Sequence, residues 1–197
     1  MKILILASPR SGSTILNRAL SKILKLFPYG EPFNYGLQRQ NFKYPFELRK
    51  KSVVKSLVFQ VPEGYDNSKG DFYDSYKDNF DRVILLTRKD IQKTYESYSY
   101  NTYHYPDGNW PFKYWYKEVP FSYKLYNSVV RNHNKILDYG NKWNIPITYY
   151  EDLYSGIKPK VVKCINSWDL EIKFNDLFFY TTPANKYRKE GKQDNFI

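Results

Sequence analysis

The sequence predicts an α/β domain with a mostly parallel central sheet covered by helices on both faces. Three observations carry that expectation. Short apolar runs stand at Ile3-Leu4-Ile5-Leu6-Ala7, Leu57-Val58-Phe59-Gln60-Val61, Val83-Ile84-Leu85-Leu86 and Ile145-Pro146-Ile147. Segments of helical period separate them. The runs are near-continuously apolar, as strands buried on both faces are, and strands alternating with helices build a parallel sheet.

The elements follow in order. The first strand leads through a Ser/Gly turn into a helix with Ile15, Leu16, Ala19, Leu20, Ile23 and Leu24 on one face and Arg18, Lys22 and Lys25 off it. Phe27-Pro28-Tyr29-Gly30 breaks that helix. Residues 38–51 are ambiguous, with a short helix as one option. The second strand is expected at 57–61, ended by Pro62, and residues 63–80 read as loop with an optional short helix. Residues 82–88 form the clearest buried strand after the first, and Asp90 can cap a helix running through Ser97. Residues 103–115 form a Pro/Gly/aromatic loop of the kind that lines a site. A long helix is expected from about Pro120 to Tyr139, a strand at 145–150 and a helix at 161–168.

At 197 residues the default is one domain, 1–197, with a proper core. The 19% aromatic share argues against a disordered chain, and the formal net charge of +11 asks for an anionic partner. The lone Cys164 excludes an intrachain disulfide and a Cys-based metal site, and its neighbours Val161, Val162 and Ile165 place it on a buried helix face. His104 and His133 do not make a metal-ligand spacing. No signal peptide and no apolar stretch long enough to span a bilayer is visible, so the expectation is a soluble, cytoplasmic protein. A composition rich in Lys, Asn, Tyr and Ile hints at an AT-rich genome, such as a viral one.

The most informative segment is Ser8-Pro9-Arg10-Ser11-Gly12-Ser13-Thr14, between the first strand and the first helix. Backbone N–H groups at a helix start point at a ligand, and the helix dipole favours an anion there. Arg10 adds a planar fork of donors. A Walker A loop would place lysine after the last glycine, but here Gly12 is followed by Ser13 and Thr14. Further on, Arg88 leaves a strand and Ser97 follows about two helical turns later, so a guanidinium and a neutral hydroxyl can converge on one phosphate. Both segments fall at the carboxyl ends of strands, where parallel sheets bind ligands.

The P-R-S-G-S-T string after an N-terminal strand resembles the 5′-phosphosulfate loop of sulfotransferases that use 3′-phosphoadenosine 5′-phosphosulfate (PAPS). The resemblance implies a P-loop-NTPase-like three-layer domain, with Pro9, Arg10, Ser11, Gly12, Ser13 and Thr14 on the cofactor. The Arg88-Lys89-Asp90 segment with Ser97 resembles the family's 3′-phosphate-binding segment, in the form found in bacterial trehalose sulfotransferases and similar phage-encoded enzymes. Aligning on Asp90 in the animal form would instead put Thr94 at the serine position, and we prefer Ser97. Arg188 and Lys189 resemble an R-K-G segment that folds over the 3′-phosphate, although Glu190 interrupts it and a basic tail is the alternative. Tyr149-Tyr150-Glu151-Asp152-Leu153 is similar to the family's Y-E-D-L, with Asp152 capping a turn.

Glu31, in Gly30-Glu31-Pro32-Phe33, resembles the glutamate that several sulfotransferase branches keep after the first helix. Sulfuryl transfer needs a base for the acceptor hydroxyl, so Glu31 and Arg10 are the catalytic candidates. An exposed turn acid is the other reading of Glu31, and His104 is the alternative base. The resemblance implies transfer from PAPS to an unidentified hydroxyl acceptor, with 3′,5′-ADP leaving and no metal required. Two other classes remain: a basic nucleic-acid-binding protein, which lacks the standard signatures, and a nucleotide kinase of the same fold, which the missing Walker lysine argues against.

Overall fold

Five parallel strands lie in the order β2-β3-β1-β4-β5: β1 (Lys2–Ala7), β2 (Phe27–Tyr29), β3 (Ser52–Leu57), β4 (Arg82–Thr87) and β5 (Ile147–Tyr149). The computed structural model describes residues 1–33, 47–104 and 120–181, and at 69, 101–104 and 178–181 the backbone. Ile3, Leu4, Ile5, Leu6 and Ala7 of β1 are wholly buried because neighbours pair on both edges and helices cover both faces.

Side chains alternate between two cores. On one face Ile3, Ile5, Val53, Ile84 and Leu86 pack under α1 (Ser13–Ile23), α5 (Tyr150–Leu153), α6 (Lys158–Ser167) and α7 (Phe174–Thr181). On the other, Leu4, Leu6, Val54 and Leu85 pack under α2 (Phe72–Tyr76) and α4 (Tyr123–Trp143). The result is a helix–sheet–helix sandwich. α3 (Ile91–His104) leaves β4 and contacts α4. Asp90 caps α3 by accepting the Lys93 N–H at 2.9 Å, and Ser122 caps α4 by accepting the Leu125 N–H at 3.3 Å. Cys164 is buried on α6.

Several boundaries differ from the sequence expectation. The strand expected at 57–61 is β3, and it ends at Leu57. Residues beyond it turn, with Gln60 N–H donating to Leu57 O at 2.8 Å. Lys55 and Ser56 interrupt the apolar run of the true strand and are themselves buried, which hid it. α1 ends at Ile23, before the Phe27-Pro28-Tyr29 expected to break it, and those residues form an edge strand, where Pro28 costs no ladder bond needed by a neighbour. β5 is shorter than expected because Tyr150 opens α5. α7, not expected, packs against α1. Of the loop expected at 103–115, Tyr103 and His104 are helical, and the remainder lies outside the described residues, as do 34–46.

The chain leaves β1 toward the β2 edge and leaves β4 toward the β5 edge. Their carboxyl ends, side by side, therefore form a topological switch point, where open α/β sheets hold ligands. Among the described residues no helix is long and apolar enough to cross a membrane.

Truncating Leu85, wholly buried between β1 and the α4 layer, should cost about 2–5 kcal/mol as Leu85→Ala. Ile15→Ala, at a side chain 43% exposed, should cost no more than about 0.5 kcal/mol. Urea unfolding of the two variants checks the pair, and comparable losses would contradict the layer assignment.

Candidate active site

The segment from Ser8 to Gly12 is built to leave a helix start open. Ser8 N–H extends the ladder to Leu86 O at 3.0 Å, and Ser8 Oγ lies 2.9 Å from Thr87 Oγ1, so the ends of β1 and β4 are tied side chain to side chain. Thr87 Oγ1 lies 3.0 Å from His133 Nδ1 on α4. Burial lowers the His133 pKa, so its ring prefers to stay neutral there. Ser11 Oγ donates to Ser8 O at 2.8 Å and closes the turn. Arg10 and Gly12 both take positive φ, 62° and 80°. No side chain caps α1, and no acidic residue stands in its first turn. Among the described residues, no side chain of α1's own start neutralises the positive end of the helix.

Gly12 is a requirement of packing as well as of φ. A Cβ there would stand 2.6 Å from the Tyr154 ring. Tyr154 donates its hydroxyl to Gly12 O at 2.7 Å. Tyr154 follows α5, and α5 also holds the segment after β4. Glu151 accepts the N–H groups of Lys89 at 2.9 Å and Asp90 at 3.3 Å. The Arg88 guanidinium lies over the Tyr150 ring, 4.4 Å from its centre, and its Nε is 3.7 Å from Glu151 Oε1. That Nε is buried and makes no hydrogen bond. Asp152 does not cap the following turn as expected. Its carboxylate goes to Lys89 at 2.7 Å and Lys160 at 3.9 Å, and Ser155 Oγ accepts the Ile157 N–H instead.

The two anchors read from the sequence meet directly: Arg10 Nε donates to Ser97 Oγ at 3.0 Å. Thr94, the alternative serine position, donates its hydroxyl to Asp90 O at 2.9 Å within its own helix and is buried. Pro9, Ser11 and Ser13 are buried, while Thr14 is exposed. Arg188, Lys189 and the side chain of His104 lie outside the described residues.

Glu31 is not an open turn acid. Its side chain is 15% exposed, and both oxygens accept hydrogen bonds, Oε1 from Lys55 Nζ and Oε2 from Gln60 Nε2 at 2.7 Å. Lys55 Nζ also donates to Thr14 Oγ1 at 2.9 Å, which ties Glu31 to the first turn of α1. Burial and the Glu31 charge together raise the Tyr98 pKa, which brings this carboxylate within electrostatic reach of α3 beside Ser97.

Sequence reasoning missed Lys55, Gln60, Tyr150 and Tyr154. Lys55 had a signal: a lysine inside an apolar strand run is buried only with a partner. Among the described residues no cluster of His, Cys, Asp or Glu could hold a metal ion. No model of a known protein family matches the chain, and no curated protein does.

Gly12→Ala should destabilise the fold by more than about 1–2 kcal/mol, the cost of a left-handed backbone at a residue with a Cβ, since the methyl also meets the Tyr154 ring. Urea unfolding gives the number, and wild-type stability would mean that the loop relaxes without cost.

Proposed function

We propose that this chain is a sulfotransferase that moves a sulfuryl group from 3′-phosphoadenosine 5′-phosphosulfate to an acceptor hydroxyl, on a P-loop-NTPase-like domain. The observation that supports this best is the Arg10–Ser97 hydrogen bond. It joins the loop after β1 to the helix after β4 at an uncapped helix start. Two anion subsites then lie beside one switch point. Arg10 and the N–H groups at the start of α1 suit the 5′-phosphosulfate, and Arg88 with Ser97 suits the 3′-phosphate.

In this reading the acceptor oxygen attacks sulfur in line, the bond from sulfur to the bridging oxygen breaks, and 3′,5′-ADP leaves with that electron pair. Glu31 takes the acceptor's proton as general base. Negative charge grows on the bridging and sulfuryl oxygens. Arg10 and Lys55 are fixed cations there before the reaction starts, which is where preorganised charge counts most. The acceptor class stays open, and glycan, lipid and small-molecule hydroxyls all have the required nucleophile.

One observation favours a second reading, a nucleotide kinase of the same fold. Lys55 brings to Thr14 an ammonium that the loop itself lacks. The same contact occupies the hydroxyl that would hold magnesium in a Walker loop, so the sulfuryl reading is the better fit.

The 3′-phosphate gives the discriminating experiment. The protein should bind 3′,5′-ADP about ten- to a hundredfold more tightly than 5′-ADP or AMP by calorimetry, the worth of one charge-assisted contact. Arg88→Ala should remove most of that preference. Equal affinity for the three nucleotides would sink the assignment, and a magnesium-dependent preference for ATP would favour the kinase.

The base has its own test. Glu31→Gln should lower sulfuryl-transfer turnover by about 10²–10⁴ with 3′,5′-ADP affinity nearly unchanged. Full activity in that variant would reduce Glu31 to the counter-ion of Lys55.

A further inference from the structure

Behind Glu31 lies a buried polar network that the reaction as described does not use. Gln60, Ser56 and Tyr73 are 5%, 0% and 1% exposed. Gln60 Oε1 accepts the Leu57 N–H at 2.9 Å. That contact settles the orientation of the amide. A backbone N–H can only donate, so the atom facing it is the amide oxygen, and the NH₂ group has to face Glu31. Ser56 Oγ lies 3.4 Å from the same oxygen and supports the same orientation.

The turn that carries Gln60 is pinned as well. The Tyr73 hydroxyl lies 2.6 Å from Gln60 O, 3.1 Å from Leu57 O and 2.6 Å from Ser56 Oγ. Burial raises the Tyr73 pKa, which keeps the phenol a neutral donor. Tyr73 comes from α2, on the opposite side of the sheet from α1, so the helix layer of the second core fixes a donor that reaches Glu31. An NH₂ group held in this way can make its bond only to an acceptor. It favours the carboxylate of Glu31 over the carboxylic acid and fixes which oxygen it takes.

We propose that Gln60 is a positioning residue: its side-chain amide, oriented by the Leu57 N–H on a turn that the Tyr73 hydroxyl pins through Gln60 O, holds the Glu31 carboxylate ionised and aimed at Lys55. Among the described residues, the charged and titratable groups that face Glu31 include Lys55 on β3, Tyr98 on α3 and Tyr73 on α2, and the last two titrate far above neutrality. Of these groups, Lys55, together with Gln60, therefore acts on the state of Glu31 near and below pH 7. The proposal rests on the transferase reading only for its consequence in turnover. The arrangement itself can be measured without an acceptor.

Carbon-13 NMR of glutamate-labelled full-length protein reads it, with the Glu31 carboxyl signal assigned by its loss in Glu31→Gln. Gln60→Leu removes the donor at similar volume and should raise the Glu31 pKa by about one unit, since a lost hydrogen bond to the charged form favours protonation. Gln60→Glu keeps an oxygen for the Leu57 N–H and sets two carboxylates face to face. The pair should then share a proton, with its upper apparent pKa above about 6. If Gln60→Leu does not fold, Gln60→Glu decides alone. If Glu31 titrates as in the wild type, or if Gln60→Glu shows no shared proton, the proposal is overturned. Where an acceptor is sulfated, the acid limb of kcat should move upward in the same variants, whereas a merely structural role would lower kcat at every pH without moving the limb. Absence of any sulfuryl transfer in the wild type would overturn the transferase reading, and the carboxyl titration would then decide the role of Gln60 by itself.

Discussion

An ammonium buried beside the first strand of a parallel sheet has to find an anion and acceptors within one side-chain length, and Lys55 is that ammonium. It sits opposite Ile5 in the β1–β3 register, on the face that α1 covers. Without a partner its burial would be prohibitive. Glu31 supplies the charge and Thr14 the second acceptor. Those two contacts reach in opposite directions, to the residues after β2 and to the start of α1. The position of the candidate base relative to the candidate anion loop thus follows from neutralising one lysine.

The second constraint is α5. With the tyrosine that follows it, this four-residue helix holds two segments that are far apart in sequence. Glu151 grips the backbone after β4, and the tyrosine that follows the helix grips the backbone after β1. Tyr150 lies under Arg88. Glu151 carries the charge opposite Arg88, yet it spends its oxygens on backbone N–H groups rather than on the guanidinium. Arg88 is thereby oriented more by stacking than by hydrogen bonding, and its Nε remains a donor without a hydrogen bond.

The parts of this arrangement that the sequence made legible are those whose residues obey one rule at a time. β1 and β4 are continuous apolar runs, and α1 has an apolar stripe, so their type and order could be read, and with them the placing of Arg10 and Ser97 at one end of the sheet. β3 could not, because Lys55 and Ser56 serve the site from inside the strand and break the apolar pattern that marks strands. α5 is too short to show a period. Glu31 could be singled out, but not its bonds to Lys55 and Gln60, because residues paired across β2 and β3 leave no local signature. The turn after β3 reads as a strand because it is apolar: Val58 is buried and its N–H still reaches Ala7 O at 2.9 Å, but the strand ends at Leu57 and Phe59 is exposed.

The two cores hold different halves of the site. On the α1 face, Tyr154 belongs to the cluster that packs α5, α6 and α7 and carries the hydroxyl that meets Gly12. On the α2 face, Tyr73 belongs to the other cluster and carries the hydroxyl that fixes the turn of Gln60. Each tyrosine buries its ring in a core and presents its hydroxyl to a loop at the carboxyl ends of the strands, where its donor is already committed. The anion loop is therefore rigid to the extent that the first core is packed, and the carboxylate of Glu31 to the extent that the second is. The sheet is the common wall between them. Among the described residues, one contact through which the halves touch directly is that of Lys55, with Glu31 on one side and Thr14 on the other, and another is that of Asn17 on α1 with Tyr29 O at 3.0 Å. A change in packing on either face would reach the opposite half of the site through such contacts, that lysine among them.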